Sequence, residues 1–248
     1  MINDLPQRKS KPNKDPHKNL IIPDLSLGKP IDLKQIQLEG YLEFPYDQGS
    51  IAEKYRGIKW EILNHHRFPS RGKTLLIASA SVGEGKSAAA FNLAVSMSLE
   101  RDWKSILVDT SGNANSITSL LNLNQCKGLT DYLVGDINLE MALYETSQAK
   151  CYVVPIGQQI HLRSELIAST KMVDFFQKIQ EFIPSSFVIL DSRAIRSYAD
   201  CKVLSTRVDR ILMVVEASVT PKLQVEEALY FLPKEKLIGV IMNKDPWK

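Results

Sequence analysis

The apolar residues of the chain fall in short unbroken runs: Leu75-Leu-Ile-Ala78, Ile106-Leu-Val108, Tyr152-Val-Val154, Phe187-Val-Ile-Leu190, Ile211-Leu-Met-Val-Val215 and Leu237-Ile-Gly-Val-Ile-Met242. Runs this short that are apolar on consecutive positions predict strands covered on both faces, since a half-exposed strand would alternate. The expected strands begin at Thr74 and cover 104–109, 151–155, 186–191, 210–216 and 237–243. Between them, helical periodicity predicts a helix opening at Lys86, helices over 171–183 and 221–231, and short helical pieces at Gly128-Leu-Thr-Asp-Tyr-Leu133 and Leu139-Glu-Met-Ala-Leu143. Strands alternating with helices make an α/β fold, a mostly parallel sheet with helices on both faces.

Upstream the pattern changes. Ile51, Tyr55, Ile58 and Ile62 recur at i, i+4, i+7 and i+11, which predicts an amphipathic helix over 51–63 with Glu53, Arg56 and Lys59 on a charged outer flank. Residues 1–50 hold six of the twelve prolines and little periodicity. They read as an extended or disordered tail on a domain spanning 51–248. The net charge of +3 is a property of that tail: its first twenty residues carry five Lys or Arg and two Asp, 5 − 2 = +3, leaving the remainder at zero. With no basic stripe interleaved with aromatics, a nucleic-acid partner is not expected.

The first strand runs into Ala80-Ser-Val-Gly-Glu-Gly-Lys-Ser87 at the start of a helix. This is the context of a phosphate-binding P-loop, and the fold is read as that of a P-loop NTPase. The backbone from Val82 through Gly83, Glu84, Gly85, Lys86 and Ser87 to Ala88 is the expected cradle for the phosphates of ATP or ADP. Lys86 should reach the β- and γ-phosphates, and the Ser87 hydroxyl should take Mg²⁺. Ala80 stands where the strict pattern has glycine. Magnesium prefers hard oxygen ligands, so carboxylates are sought at the strand ends. Asp191 and Asp109 both sit there, and Asn243, ending the last strand, is a candidate for the adenine. Lys86, Asp109 and Asp191 are the candidate catalytic residues.

No run approaches the roughly 20 apolar residues of a membrane span. Met1 to Ser10 has no apolar signal-peptide region, so a cytoplasmic chain is expected. Cys126, Cys151 and Cys201 lack metal or redox spacing, which fits reduced thiols. The four histidines show no ligand spacing.

From about Ile51 to Lys244 the chain resembles the bacterial tyrosine kinases of capsule and exopolysaccharide synthesis, and within them most of all the exosortase-associated autokinase group. The family loop Ser-x-x-Pro-Gly-Glu-Gly-Lys-Ser/Thr is matched with Val82 in place of proline. Its motif of aliphatics and Asp-x-Asp-x-Arg falls on Ile106-Leu-Val-Asp-Thr-Ser-Gly-Asn113, where Ser111 replaces the second acid and Asn113 the arginine. Its Walker B motif falls on Val188-Ile-Leu-Asp-Ser-Arg-Ala194, with Arg193-Ala194 in place of two prolines, predicting a looser loop. Pro155-Ile-Gly, Ser164-Glu-Leu-Ile-Ala-Ser169 and Val214-Val-Glu-Ala also match. Glu53-Lys-Tyr-Arg-Gly-Ile-Lys59 resembles the family's oligomerisation motif.

The resemblance implies a protein tyrosine kinase using ATP and Mg²⁺, a homo-oligomer joined through Glu53, Arg56 and Lys59, and a membrane polysaccharide co-polymerase partner. It also implies a place at the inner face of the cell membrane through that partner. The chain has no tyrosine beyond Tyr230. Losing the acid at Ser111 predicts weakened phosphoryl transfer, with Glu84 and Asp109 as the remaining candidates for the base. Two other readings stay open: a non-catalytic nucleotide-binding regulator, and a partition ATPase of the ParA/MinD class. That second class carries a loop lysine at the position of Ser81.

Overall fold

The structure is a computed structural model that describes residues 30–34, 50–65 and 73–245. Seven strands, β1 (Lys73–Ser79), β2 (Lys104–Asp109), β3 (Tyr144–Glu145), β4 (Cys151–Val154), β5 (Ser186–Asp191), β6 (Arg210–Glu216) and β7 (Leu237–Asn243), form one sheet in the order β3-β4-β2-β5-β1-β6-β7. All neighbours run parallel except the short β3, which is antiparallel to β4.

The unbroken apolar runs are explained by two cores. Leu76, Ile106, Val188, Leu190 and Met213 face one side, where helices α4 (Leu129–Val134), α6 (Thr170–Phe182), α7 (Ala199–Arg207) and α8 (Lys222–Tyr230) cover them through Tyr132, Phe175, Ile179 and Leu204. Leu75, Ile77, Leu107, Ile189 and Val214 face the other, under helices α1 (Ser50–Asn64), α2 (Lys86–Ser98) and α3 (Ile117–Leu120). The α2 sequence is rich in Ala and Ser and almost wholly buried. Small side chains let this helix lie close on the strands, which fixes its first turn at the carboxyl edge of the sheet. Each large aliphatic side chain so buried contributes about 1.5–3 kcal/mol.

Three helices and one strand carry no clear period and are not predicted: α3, α5 (Arg163–Ala168), α7 and the edge strand β3. Each of these helices is short or mixes polar residues along its buried face. The α1 face also departs from expectation. Ile51 is 40% exposed, whereas Lys59 is only 8% exposed and reaches Glu100 at 2.6 Å. Lys59 therefore leaves the outer flank for an intramolecular ion pair, while Glu53 and Arg56 pair with each other at the surface. The buried side is instead built on Ala52 and Ile62, flanked by Tyr55, Ile58 and Leu63.

Most of the expected tail lies outside the described residues. At 30–34, Ile31 bridges Thr146 beside β3, its N–H donating to Glu145 O at 2.9 Å, and Leu33 is buried. Among the described residues no helix is long and apolar enough to cross a membrane.

Candidate functional site

The loop after β1 wraps toward the first turn of α2 through two glycines in the left-handed region, Gly83 at φ 89° and Gly85 at φ 93°. A side chain is disfavoured there, so both positions need glycine. Ala80 does not: it has no positive φ, and its methyl group is buried in the core. Val82 is 69% exposed at the loop tip. Ala88 follows in the first turn of α2, whose ladder opens with Ala89 N donating to Gly85 O at 2.9 Å.

Lys86 and Ser87 turn back over the sheet. The Lys86 ammonium donates to Ser79 Oγ at 2.8 Å, and burial lowers its pKa although Asp191 acts against the shift. The Ser87 hydroxyl donates to Asp191 Oδ2 at 2.7 Å. Asp191 is fully buried, and its other oxygen, Oδ1, has no hydrogen-bond partner among the described residues. A buried carboxylate oxygen left without a donor is costly unless a cation or water meets it. The pair Ser87 and Asp191 thus offers hard oxygens side by side, a donor set suited to Mg²⁺.

Asp109 lies in register opposite Asp191 on adjacent strands. Both of its oxygens are already engaged. Oδ1 accepts from Ser111 N at 2.8 Å, Ser111 Oγ at 2.9 Å and Gly112 N at 3.1 Å, and Oδ2 accepts from Thr118 N at 2.9 Å. The carboxylate organises the loop after β2, and Ser111, 1% exposed, is one of its donors. Glu84 is likewise a brace: it is 2% exposed and accepts from Ser81 N at 2.7 Å and from the Thr220 hydroxyl. Asn243 also holds the loop, Nδ2 donating to Glu84 O at 3.0 Å. Lys244 reaches Gly83 O at 2.7 Å, and Ser81 Oγ meets Gln224 Oε1 at 2.9 Å. Sequence reasoning did not find Thr220, Gln224 or Lys244, though all three follow β6 or β7 at the same edge.

Burial raises the Asp191 carboxyl to about 7, and the charge of Asp109 pushes the same way. An acid whose folded pKa lies above its unfolded value binds its proton more tightly when folded. Its penalty is absent below about pH 4, grows as pH rises, and is complete above about 7. At about 1.4 kcal/mol per unit, the total is about 4 kcal/mol. In thermal unfolding with EDTA, the stability of the unaltered protein relative to Asp191→Asn should therefore fall between pH 4 and pH 7. A difference that stays flat across this window would contradict the burial argument.

The loop after Asp191 is not loose, which corrects the sequence expectation. Arg193 donates to Asp200 through Nε at 2.9 Å and through Nη2, and its guanidinium lies 3.9 Å from the centre of the Tyr198 ring. Ser192 Oγ donates to Ile77 O at 2.8 Å, and Ile195 N to Ser79 O at 2.9 Å. These bonds replace the rigidity that prolines would give. Asp200 is 3% exposed, so Arg193→Ala would strand a buried charge and should cost about 3 kcal/mol. A melting temperature within about 2 °C of the unaltered protein would show that the pair is not needed.

No metal-binding group of three or more His, Cys, Asp or Glu occurs among the described residues. The three cysteines are free, Cys151 and Cys201 being buried.

No protein-family model matches the chain. Among curated proteins it is similar to the tyrosine-protein kinase CpsD of Streptococcus agalactiae, 30% identical over 178 residues that span 69% of this chain and 75% of that protein. Among solved structures it is similar to the chimerical protein CapA2B2, with a TM-score of 0.72, 25% identity and coverage of 81% of this chain and 88% of that one. The septum site-determining protein MinD of Pyrococcus horikoshii, solved with Mg-ADP, shares the fold at a TM-score of 0.55 and 20% identity, over 71% of this chain and 72% of that one. The wider P-loop fold is thus common to several classes, but the sequence likeness extends along most of one kind of relative. On that likeness and on the loop and strand-end residues described above, the chain belongs to the bacterial tyrosine-protein kinase family of capsule biosynthesis.

Proposed function

We propose that this protein binds ATP with Mg²⁺ at the loop of residues 82–88 and transfers the terminal phosphoryl group to tyrosine slowly, in the control of exopolysaccharide or capsule synthesis. The observation that carries the reading is the meeting of the P-loop with the end of β5: the Ser87 hydroxyl on one oxygen of Asp191, the other oxygen unpartnered, and Lys86 beside them. In this account the backbone amides from Val82 to Ala88 and Lys86 hold phosphate, and Ser87 and Asp191 hold the metal. Bound Mg²⁺ supplies charge that offsets the phosphates. Asp109 serves mainly by shaping the loop of residues 110–118, and Asn243 borders the adenine side.

Slow transfer follows from Ser111. A hydroxyl bonded to Asp109 neither carries charge nor accepts the proton of an incoming tyrosine, and general-base loss costs about 10² to 10⁴ in rate. That same geometry favours the second reading, a nucleotide-binding regulator that no longer transfers phosphate. Incubation with ATP and Mg²⁺, probed for phosphotyrosine, separates the two. Slow labelling that disappears in Lys86→Met supports the kinase, and no labelling above that variant's level supports the regulator.

The organisation proposed with this activity is a tail of residues 1–50 and a catalytic domain of 51–248, acting beside a membrane polysaccharide co-polymerase at the inner face of the membrane. Self-association would use the exposed part of α1, Glu53 and Arg56. Lys59, already held by Glu100, would act indirectly by fixing the helix. Light scattering should show a smaller particle for the double variant Glu53→Ala, Arg56→Ala. An unchanged mass would place the interface elsewhere.

A further inference from the structure

At the carboxyl edge of the sheet, two strands away from the P-loop, lies a second cationic feature. Arg163, at the start of α5, is half-buried with its guanidinium against the loop after β2: a Cβ placed on Gly112 would lie 2.5 Å from Arg163 Nη1. It makes no hydrogen bond or ion pair with any described residue. Burial, and after it the like charge of Arg193, lowers its pKa, while Asp200, Asp109 and Tyr198 act in the opposite sense. Asp200 is already committed to Arg193, and Asp109 to four loop donors. Arg163 is therefore a partly desolvated guanidinium with no carboxylate bonded to it, and an incoming anion would complete its shell.

The surroundings narrow the class of anion. Gly112, which the Arg163 guanidinium abuts, also lines a cavity of about 260 Å³ whose other walls include Ile156 and the uncharged polar side chains of Asn113, Ser116, Thr118, Asn124 and Gln159. Strands in a sheet stand about 4.8 Å apart, so β2 lies about 10 Å from β1 and its P-loop. The cavity is therefore separated from the phosphate-binding loop by β5. A neutral polar cavity next to an unpaired guanidinium suits a peptide, with one side chain in the cavity and a carboxylate on the arginine.

We propose that Arg163 is the specificity-determining contact for an acidic peptide segment that carries the acceptor tyrosine. The inference rests on the kinase reading and names its substrate class. Arginine is the suited residue because its planar fork takes a carboxylate through two hydrogen bonds.

The test is fluorescence anisotropy on the full chain with two labelled peptides, one tyrosine flanked by glutamates and the same sequence with glutamines. The glutamate peptide should bind about 10-fold more tightly, and Arg163→Gln and Arg163→Ala should each remove that preference. Arg163→Lys should keep part of it, and added salt should weaken it. Mg²⁺-ATP affinity, measured by calorimetry on the same samples, should be unchanged in all three variants. Equal binding of the two peptides by the unaltered protein would overturn the inference, as would a preference that survives in both neutral variants. Loss of Mg²⁺-ATP affinity on removing Arg163, with the peptide preference intact, would also overturn it by assigning the arginine to the nucleotide. If the unaltered protein fails to bind Mg²⁺-ATP, the kinase reading falls by itself, and the peptide comparison still decides whether the subsite exists.

Discussion

Gly85→Ala should reduce Mg²⁺-ATP affinity by about 100-fold or more, equivalent to about 3 kcal/mol. Two effects act together. A residue with a side chain held at φ 93° is strained by about 1–2 kcal/mol. A Cβ at this position would also lie 2.0 Å from Asn243 Nδ2, an overlap that cannot persist. Asn243 must move, and its hydrogen bond to Glu84 O is lost. The loop then loses one of its ties to the end of β7, keeping that from Lys244 to Gly83 O, while its own backbone relaxes, so the amides that converge on phosphate lose their common focus. Gly83→Ala provides the control. It has φ 89° but nothing within 4 Å of the added carbon, so strain alone acts and affinity should fall by no more than about 10-fold. Calorimetric titration of both variants checks the difference. Equal losses would mean that contact with Asn243 does not set the loop.

Ser111→Asp should have the second large effect, opposite in sign for stability and for catalysis. Ser111 Oγ stands 2.9 Å from Asp109 Oδ1, and Asp191 is the cross-strand neighbour of Asp109. A carboxylate at position 111 replaces a donor by a charge among acids that are already buried. Two unit charges about 4 Å apart repel by about 4 kcal/mol at an effective dielectric of about 20. Part of this is relieved by protonation or by side-chain movement. Stability in EDTA should therefore drop by about 2–4 kcal/mol, lowering the melting temperature by about 5–15 °C. Mg²⁺ should restore much of the loss, and phosphotyrosine labelling should rise. Unchanged stability in EDTA would show that the acids are screened from one another. Strong labelling by the unaltered protein, with no gain in Ser111→Asp, would show that Asp109 alone suffices for transfer.

The parts of the fold that sequence reveals are those set by burial on both faces. Ile106-Leu-Val108 and Phe187-Val-Ile-Leu190 are rich in β-branched residues, short and bounded by polar residues, which marks them as central strands, and their polar ends, Asp109 and Asp191, follow at once. The loop was legible because Gly83, Gly85, Lys86 and Ser87 have conformational and chemical requirements that few other residues meet. What stayed hidden depends on tertiary pairing. Lys59 looked like a surface charge, since its helix position gave no sign of Glu100 across the packing interface. Arg193 in place of proline suggested slack, and only the fold brings Asp200 and Tyr198 against it. Asp109 and Glu84 looked available for chemistry because a sequence does not show which backbone amides have already claimed a carboxylate. Helix α5 is six residues long with Ile167 as its buried residue, and α7 buries Asp200 and Ser205 beside Cys201 and Leu204, so neither shows an apolar period.

Lys86, Ser87 and Asp191 are proposed to form a Mg²⁺-nucleotide site. Isothermal titration of the full chain with ATP and with ADP, each in the presence of Mg²⁺ and again in EDTA, tests it most directly when Lys86→Met is measured beside the unaltered protein. The expected result is saturable binding that weakens without Mg²⁺ and weakens by about 10-fold or more in Lys86→Met, the loss of at least one charge-assisted phosphate contact. No binding by the unaltered protein, or equal binding by both proteins with and without Mg²⁺, would contradict it.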